Sequence, residues 1–499
     1  MNDREKSDSL IVPRKSPNKP DAAAKGAEEM EGRGLAKGNP SGHDTRRTQG
    51  RESVKSGLER VREAARSDKE LRFTALMHHI YDVDRLRKAY YGLNRSAASG
   101  ADGVTWKAYG EELETNIRAL ADRLKRGAYR ASPVKRTTIS KRDGRERHLG
   151  VPTLEDKIVQ RAAVEVLNAI YEHDFLGFSY GFRPGRSQHD ALDALAVGLH
   201  KKKVGWVLDA DIRGFFDTLD HGWLIQFIEH RIGDRRVVRL VKKWLKAGVL
   251  ADGEHIEQEK GTVQGGSISP LLANIYLHYV LDLWVHQWRG RHARGEVIIV
   301  RYADDFVVGF ERREDGQRFH EELRQRLAKF GLELHPDKTR LFEFGRYVGP
   351  SRARRGEGKA ESFVFLGFRH IYGKSKQGAA LLWRRTSGES LRAGLSAIKD
   401  TLMRHSWWSV PQMGRYLAAA TSGHYEYFAV PTNSRQLQVF RFVVGRIWKQ
   451  ALERRSERTR VSWARIARLV ARWLPPAKVR HPWPGERFAV RTQGRSRMR

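Results

Sequence analysis

The segment EVIIVRYADDFVVGF, residues 296–310, constrains the fold more than any other stretch of the chain. Two apolar runs flank a pair of adjacent aspartates, and the pattern predicts a strand, a tight turn and a second strand, together a buried hairpin. Asp304 and Asp305 then sit at its tip. Like charges side by side repel unless a cation lies between them and their neighbours, so a divalent ion would relieve the conflict. Taken alone, the pair is explained as well by the preference of aspartate for turns, where it bonds locally. Further upstream, VLDADIRGFFD ends a second apolar strand on Asp211 and offers a third carboxylate to the same ions. Phosphoryl transfer by two metal ions needs that convergence, one ion activating the attacking hydroxyl and the other steadying the pyrophosphate. Magnesium prefers few carboxylates plus substrate phosphates. Asp209 and Asp217 read as solvated strand-edge or capping aspartates.

Charge narrows the partner. Lys and Arg number 93 against 59 Asp and Glu, a formal charge of +34, which predicts attraction to a polyanion. Nucleic acid leads. A membrane surface is the competing polyanion, yet no apolar stretch approaches bilayer length and the N-terminus is charged throughout, so a soluble, cytoplasmic protein is expected. The chain has no cysteine, which excludes disulfides, thiolate zinc sites and cysteine nucleophiles and leaves any metal to oxygen or histidine ligands. The nineteen histidines show no H-E-x-x-H spacing, so no zinc site is expected.

At 499 residues, two or three packed units with tails are expected. Residues 1–60 read as a disordered basic arm. A basic hairpin follows in RTTISKRDGRERHLGV, with its turn at Asp143-Gly144. Thr153 and Asp156 are expected to form a capping box ahead of a helix that buries Ile158, Val159, Ala162, Ala163, Val166 and Leu167. SPLLANIYLHYVLDLWVHQW reads as a helix with Ser269 as N-cap and Pro270 at the first position. Strands and helices mixed in this way give an α+β class. Beyond FVFLGF, residues 390–475 look helical and aromatic, and Pro475-Pro476 closes that unit.

In order, DADIRGFFD, GTVQGGSISPLLANIYL, RYADDFVVGF, LHPDKTRLF and FVFLGF resemble the sequence blocks of reverse transcriptases. RHLGVPTLEDKIVQRAAVEVLNAIYEHDFLGFSYGFRPGRSQHDAL resembles the branch encoded by group II introns, the reverse transcriptase/maturases. The resemblance implies a right-hand polymerase: fingers and early palm over 61–200, a palm with an antiparallel sheet over 201–375, a helical thumb or maturase domain over 376–475 and a basic tail over 476–499. It implies Asp211, Ile212, Asp304 and Asp305 as ligands of two Mg²⁺ ions, Mn²⁺ being possible, and Tyr302 as the aromatic before the acidic pair. Phe216 resembles a steric gate whose ring fills the space of a ribose 2′-hydroxyl; ordinary core phenylalanine is the alternative, and is the reading for Phe215. Gln264, Gly265, Gly266 and Ser267 resemble a loop whose missing side chains let backbone approach nucleotide and template, or are a plain turn. Lys141 and Arg147 hold triphosphate oxygens, or bind phosphate generically. Lys338 resembles the general acid for departing pyrophosphate, or is a solvated lysine. FVFLGF resembles the primer-grip hairpin.

The function so implied is RNA-directed DNA polymerase, working on an RNA template and DNA primer with dNTPs, by a protein that also binds its parent group II intron RNA to promote splicing and copies it into target DNA. A host-recruited relative and a non-catalytic splicing factor are the alternatives. Without cysteines, the endonuclease domain of many family members is not expected, so copying would be target-primed or nascent-strand-primed, with something else, for instance a nascent DNA strand, supplying the primer.

Overall fold

The computed structural model describes residues 57–140, 146–251, 254–455 and 460–492. Its strands are β1 (Val134–Ser140), β2 (Glu146–Val151), β3 (Trp206–Asp211), β4 (Val249–Ala251), β5 (Glu254–Ile256), β6 (Val297–Tyr302), β7 (Asp305–Phe310), β8 (Arg340–Glu343), β9 (Phe363–Phe365), β10 (Phe368–Lys374) and β11 (Ala380–Thr386). They form three sheets, ordered β2-β1-β4-β5, β6-β7-β3-β8 and β11-β10-β9. The class is α+β, as expected.

The sheet β6-β7-β3-β8 is antiparallel throughout, and residues opposite one another on neighbouring strands share a face. Alternation therefore splits it cleanly. Leu208, Ala210, Ile299, Phe306 and Val308 enter the larger core, which includes the helices Leu154–Asp174, Ser269–Leu277 and Arg313–Lys329. Val207, Ile298, Val300, Val307 and Phe342 enter a second core with the helix Gln188–Lys201 and strands β9 and β10. A sheet covered on both sides explains why its strands read as nearly continuous apolar runs.

Local expectations fare unevenly. The helix Leu154–Asp174 buries the predicted face, and the Thr153 hydroxyl accepts from the Asp156 N–H. The reciprocal half of the capping box is not formed: the buried Asp156 carboxylate instead takes the Tyr129 hydroxyl and the Ser132 N–H. Ser269 lies inside its helix rather than capping it, because its hydroxyl donates back to the Val263 carbonyl at 2.7 Å. Pro270 does occupy the first turn. The long predicted helix holds a π segment, His278–Asp282, before resuming at Leu283–Arg291. FVFLGF spans β9 and the start of β10, joined by Leu366 and Gly367, both left-handed, the pairing that a two-residue hairpin turn requires. The proposed turn at Asp143-Gly144 and residues 1–56 of the arm 1–60 lie outside the described residues, whereas residues 57–60 begin a helix in which Leu58 is buried.

Four helices, Gly388–Arg404, Val410–Phe428, Ser434–Glu453 and Trp463–Trp473, build a third core around Leu402, Met413, Leu417, Phe440 and Trp448. The chain after Pro475-Pro476, expected as a tail, forms the helix Pro484–Thr492 and packs through Phe488 against the second core. Arg480 and His481 donate main-chain bonds to the Ala429 carbonyl, and in the helix Pro484–Thr492 Arg487 pairs with Asp193 of the helix Gln188–Lys201. Asp193 is buried and also accepts from Arg384 of β11 at 2.7 Å. Replacing Asp193 by Ala leaves two arginines facing a buried gap, and should lower unfolding free energy by about 3–5 kcal/mol in a denaturant titration.

Candidate active site

Register alone assembles the acidic centre. Across β6, β7 and β3, Tyr302 lies opposite Asp305 and Asp305 opposite Asp211, one row on one face of the sheet. The next row inward holds Val300, Val307 and Asp209. The acids thus stand at the end of an apolar face, where the second core gives out. Asp304 occupies the two-residue turn with Ala303, whose φ of 57° is left-handed, uncommon for a residue with a side chain.

Arg301 holds that turn from beneath. The side chains of Arg301 and Asp282 are both 0% exposed, and every guanidinium N–H is used. Nε and Nη2 grip the Asp282 carboxylate, Nε at 2.7 Å. Nη1 donates to Asn274 Oδ1 at 3.1 Å and to the Ala303 carbonyl at 2.9 Å, and Nη2 to Ser179 Oγ at 2.7 Å. Five donors meet five acceptors, the condition for tolerating a buried charge. The main chain adds to the clamp: Arg301 N–H donates to the Phe178 carbonyl, and Tyr180 N–H to that of Arg301, each at 2.9 Å. Asn274 Nδ2 donates to the Gly181 carbonyl at 2.7 Å. A Cβ on Gly181 would lie 2.3 Å from the Ala303 nitrogen, so the segment 178–181 presses directly on the turn. The sequence signal for this network is a charge inside each of two apolar runs, VIIVRY and HYVLDLW.

Electrostatics follow from the crowding. Burial raises the Asp305 carboxyl well above the ordinary range, and Asp209, Asp211 and Asp304 push it further against the opposing Lys338. Burial likewise raises Asp209 to about 6, with Arg340 opposing and Asp211 adding. Asp209 is therefore not a solvated edge residue: it lies on a central strand, on the same face as Asp211. Asp217 is exposed, as expected. Lys338 pairs with Asp211, and its segment is anchored where the His335 N–H donates to the Asp211 carbonyl at 2.8 Å.

Among the described residues no three His, Asp or Glu side chains stand ready to hold a metal ion; the Lys338 ammonium now meets part of the negative charge. The donor chemistry nevertheless suits a hard divalent cation, being all oxygen with an excess of carboxylates. Ile212 is buried and has only its main-chain carbonyl to offer.

Phe216 is half-buried against the larger core, its carbonyl accepting from the Thr262 N–H at 2.7 Å, and Phe215 is fully buried. The Gln264 carbonyl accepts from the Gly150 N–H of β2 at 2.7 Å. Gly265 has φ 120°, and a Cβ there would meet the Gly150 carbonyl at 2.4 Å, so glycine is required by close approach of two backbones. Gly266 is buried and Ser267 half-buried beside it. Arg147 lies on β2 opposite Ile139; Lys141 lies outside the described residues. The structure thus brings together Asp211, Tyr302, Asp304, Asp305 and Lys338, and sets the Gln264–Gly265 loop against β2.

Residues 139–370 match the family described as reverse transcriptase (RNA-dependent DNA polymerase). The chain is 31% identical over 382 residues to Protein YkfC of Escherichia coli (strain K12), covering 66% of this chain and 96% of that one. It is 36% identical over 241 residues to Group II intron-encoded protein LtrA of Lactococcus lactis subsp. cremoris, covering 48% of this chain and 39% of that one. Putative COX1/OXI3 intron 1 protein of Saccharomyces cerevisiae (strain ATCC 204508 / S288c) matches at 28% over 223 residues, 44% of this chain and 26% of that one. The chain belongs to the reverse transcriptase family, in the group II intron reverse transcriptase/maturase branch.

The Arg301 network makes a testable claim on stability. Arg301→Met and Asp282→Leu should each cost about 3–5 kcal/mol by denaturant unfolding, and the double variant clearly less than their sum, because it leaves no unpaired charge.

Proposed function

We propose that the chain joins deoxynucleotides to a primer at the row Tyr302–Asp305–Asp211, copying an RNA template. The single observation that carries this reading is that row, with Asp304 at its edge: several carboxylates crowded at one sheet end, where Asp209, Asp211 and Asp304 together oppose ionisation of Asp305. Asp211, Asp304 and Asp305, with the Ile212 carbonyl, would hold divalent ions, Mg²⁺ in the first place with Mn²⁺ able to replace it. When bound, such ions supply the charge that activates the attacking hydroxyl and steadies departing pyrophosphate.

The chain's own residues do the rest. Residues 61–200 act as fingers and early palm, 201–375 as palm and 376–475 as thumb, and the packed segment after 476 ties the last to the palm. Lys338, already beside Asp211, gives a proton to the leaving group. Lys141 and Arg147 grip the triphosphate, the arginine by its fork. Gln264, Gly265 and Gly266 bring main chain up to nucleotide and template. Phe216 excludes the 2′-hydroxyl.

The intron role rests on two supports: relatives whose printed names place them in introns, and a formal charge of +34, suited to screening a self-repelling RNA. On this reading the partners are a group II intron RNA, which the protein helps to fold for splicing, and target DNA that primes its copying. Among the described residues no helix is long and apolar enough to cross a membrane.

Primer extension on an RNA template with dNTPs and Mg²⁺ tests the polymerase reading. Asp304→Ala should abolish synthesis while template affinity falls less than about two-fold, since affinity comes from many phosphate contacts. Loss of both together would mark a folding defect and defeat the assignment. Phe216→Val should admit ribonucleotides, read out as extension with rNTPs; unchanged sugar selectivity would return Phe216 to a packing role.

A further inference from the structure

Phe182 is an anomaly in a well-packed neighbourhood. Its φ is 56°, the left-handed region that bulky side chains avoid, yet the residue is 55% exposed. Core packing therefore does not compensate for the strain. The surroundings hold it in place: Arg183, next in sequence and almost wholly buried, donates to the Leu176 and Ser179 carbonyls at 2.7 and 2.8 Å and forks onto Glu172. On its other side Gly181 presses on the Ala303 nitrogen of the acidic turn. The Phe182 ring lies 6.2 Å from that of Tyr302. Strained residues that the scaffold over-determines gather at functional sites, and an exposed aromatic is a stacking platform for a nucleotide.

We infer that Phe182, beside Tyr302, forms a shelf for the 3′-terminal nucleotides of the primer strand. The inference rests on the polymerase reading above. The two ends of the acidic row differ: Phe216 follows Asp211 at the β3 end, where the incoming nucleotide's sugar is placed, whereas Tyr302 and Phe182 stand at the β6 end. A strand that presents its attacking hydroxyl to the carboxylates takes the end that the incoming nucleotide leaves free. Phe182 is thus a binding residue for the primer, and the local strain fixes its ring before the primer arrives.

The test uses backbone-compatible variants, so that loss of the ring is separated from loss of fold. Phe182→Gly and Phe182→Asn both tolerate the left-handed conformation, and should melt no earlier than wild type. In steady-state extension, both should raise the KM for a DNA primer annealed to RNA roughly ten- to hundred-fold, while the KM for dNTP and the Kd for template RNA alone change less than about two-fold. Phe182→Trp should restore primer KM. Wild-type primer KM in both small variants would overturn the inference, as would an equal loss of affinity for template RNA alone. Failure of the wild type to extend any primer would instead overturn the polymerase reading, and this inference with it.

Discussion

The buried pair of Arg301 and Asp282 is the constraint on which the rest of the centre depends. A guanidinium taken wholly out of water is tolerable only when each N–H finds an acceptor, and satisfying all five pulls four pieces of chain to one point. Those pieces are the π segment carrying Asp282, the helix residue Asn274, the segment around Ser179 and the turn carbonyl of Ala303. Because the same arginine sits one residue before Tyr302 in β6, its fixation also fixes where the acidic row begins. A π turn re-aims the side chains of a helix and recurs at functional sites; here it ends on the one carboxylate that makes an arginine in the sheet admissible.

Above that anchor the sheet sets charge against burial. Pleating puts Asp209 and Asp211 on one face, two residues apart, and antiparallel pairing brings Asp305 across from Asp211. Asp211 adds to the cost of ionising Asp209, and Asp209, Asp211 and Asp304 add to that of Asp305. Lys338 opposes this at Asp305 and Arg340 at Asp209, the lysine as a point charge on a flexible stem. The geometry of this cluster is set by β-sheet register, and its electrostatics by the carboxylates that register brings together.

Sequence patterning carries the elements whose signal is local and periodic. The hairpin, the strand ending on Asp211, the buried face of the helix Leu154–Asp174 and the helical unit from 388 are readable because apolar spacing reports directly on which side is covered. The pairing of Asp211 with Asp305 follows from apolar runs that end on acids, though a turn explains the pair Asp304–Asp305 as well, and Tyr302 is singled out only by the resemblance to the reverse transcriptase blocks. Asp209 is not legible, since one more aspartate in a strand looks like an edge residue until pairing shows the strand to be central. Ser269 and Asp156 look like caps, but Ser269 bonds a carbonyl in the loop before it and Asp156 is diverted to Tyr129 and Ser132, distant in sequence. Arg301 hides inside a recognisable block, and Phe182 betrays itself only through a backbone angle.

Asp193 has a consequence for how the molecule comes into being. Of its two arginines, Arg487 is 294 positions away in the chain, so a ribosome must make all the intervening chain before the second cation exists. Until then the helix Gln188–Lys201, which covers the inner face of the acidic sheet, holds a carboxylate with only half its final company. Completion of this half of the molecule therefore depends on a contact between distant parts of the chain, which joins the helix Gln188–Lys201 to the helix Pro484–Thr492.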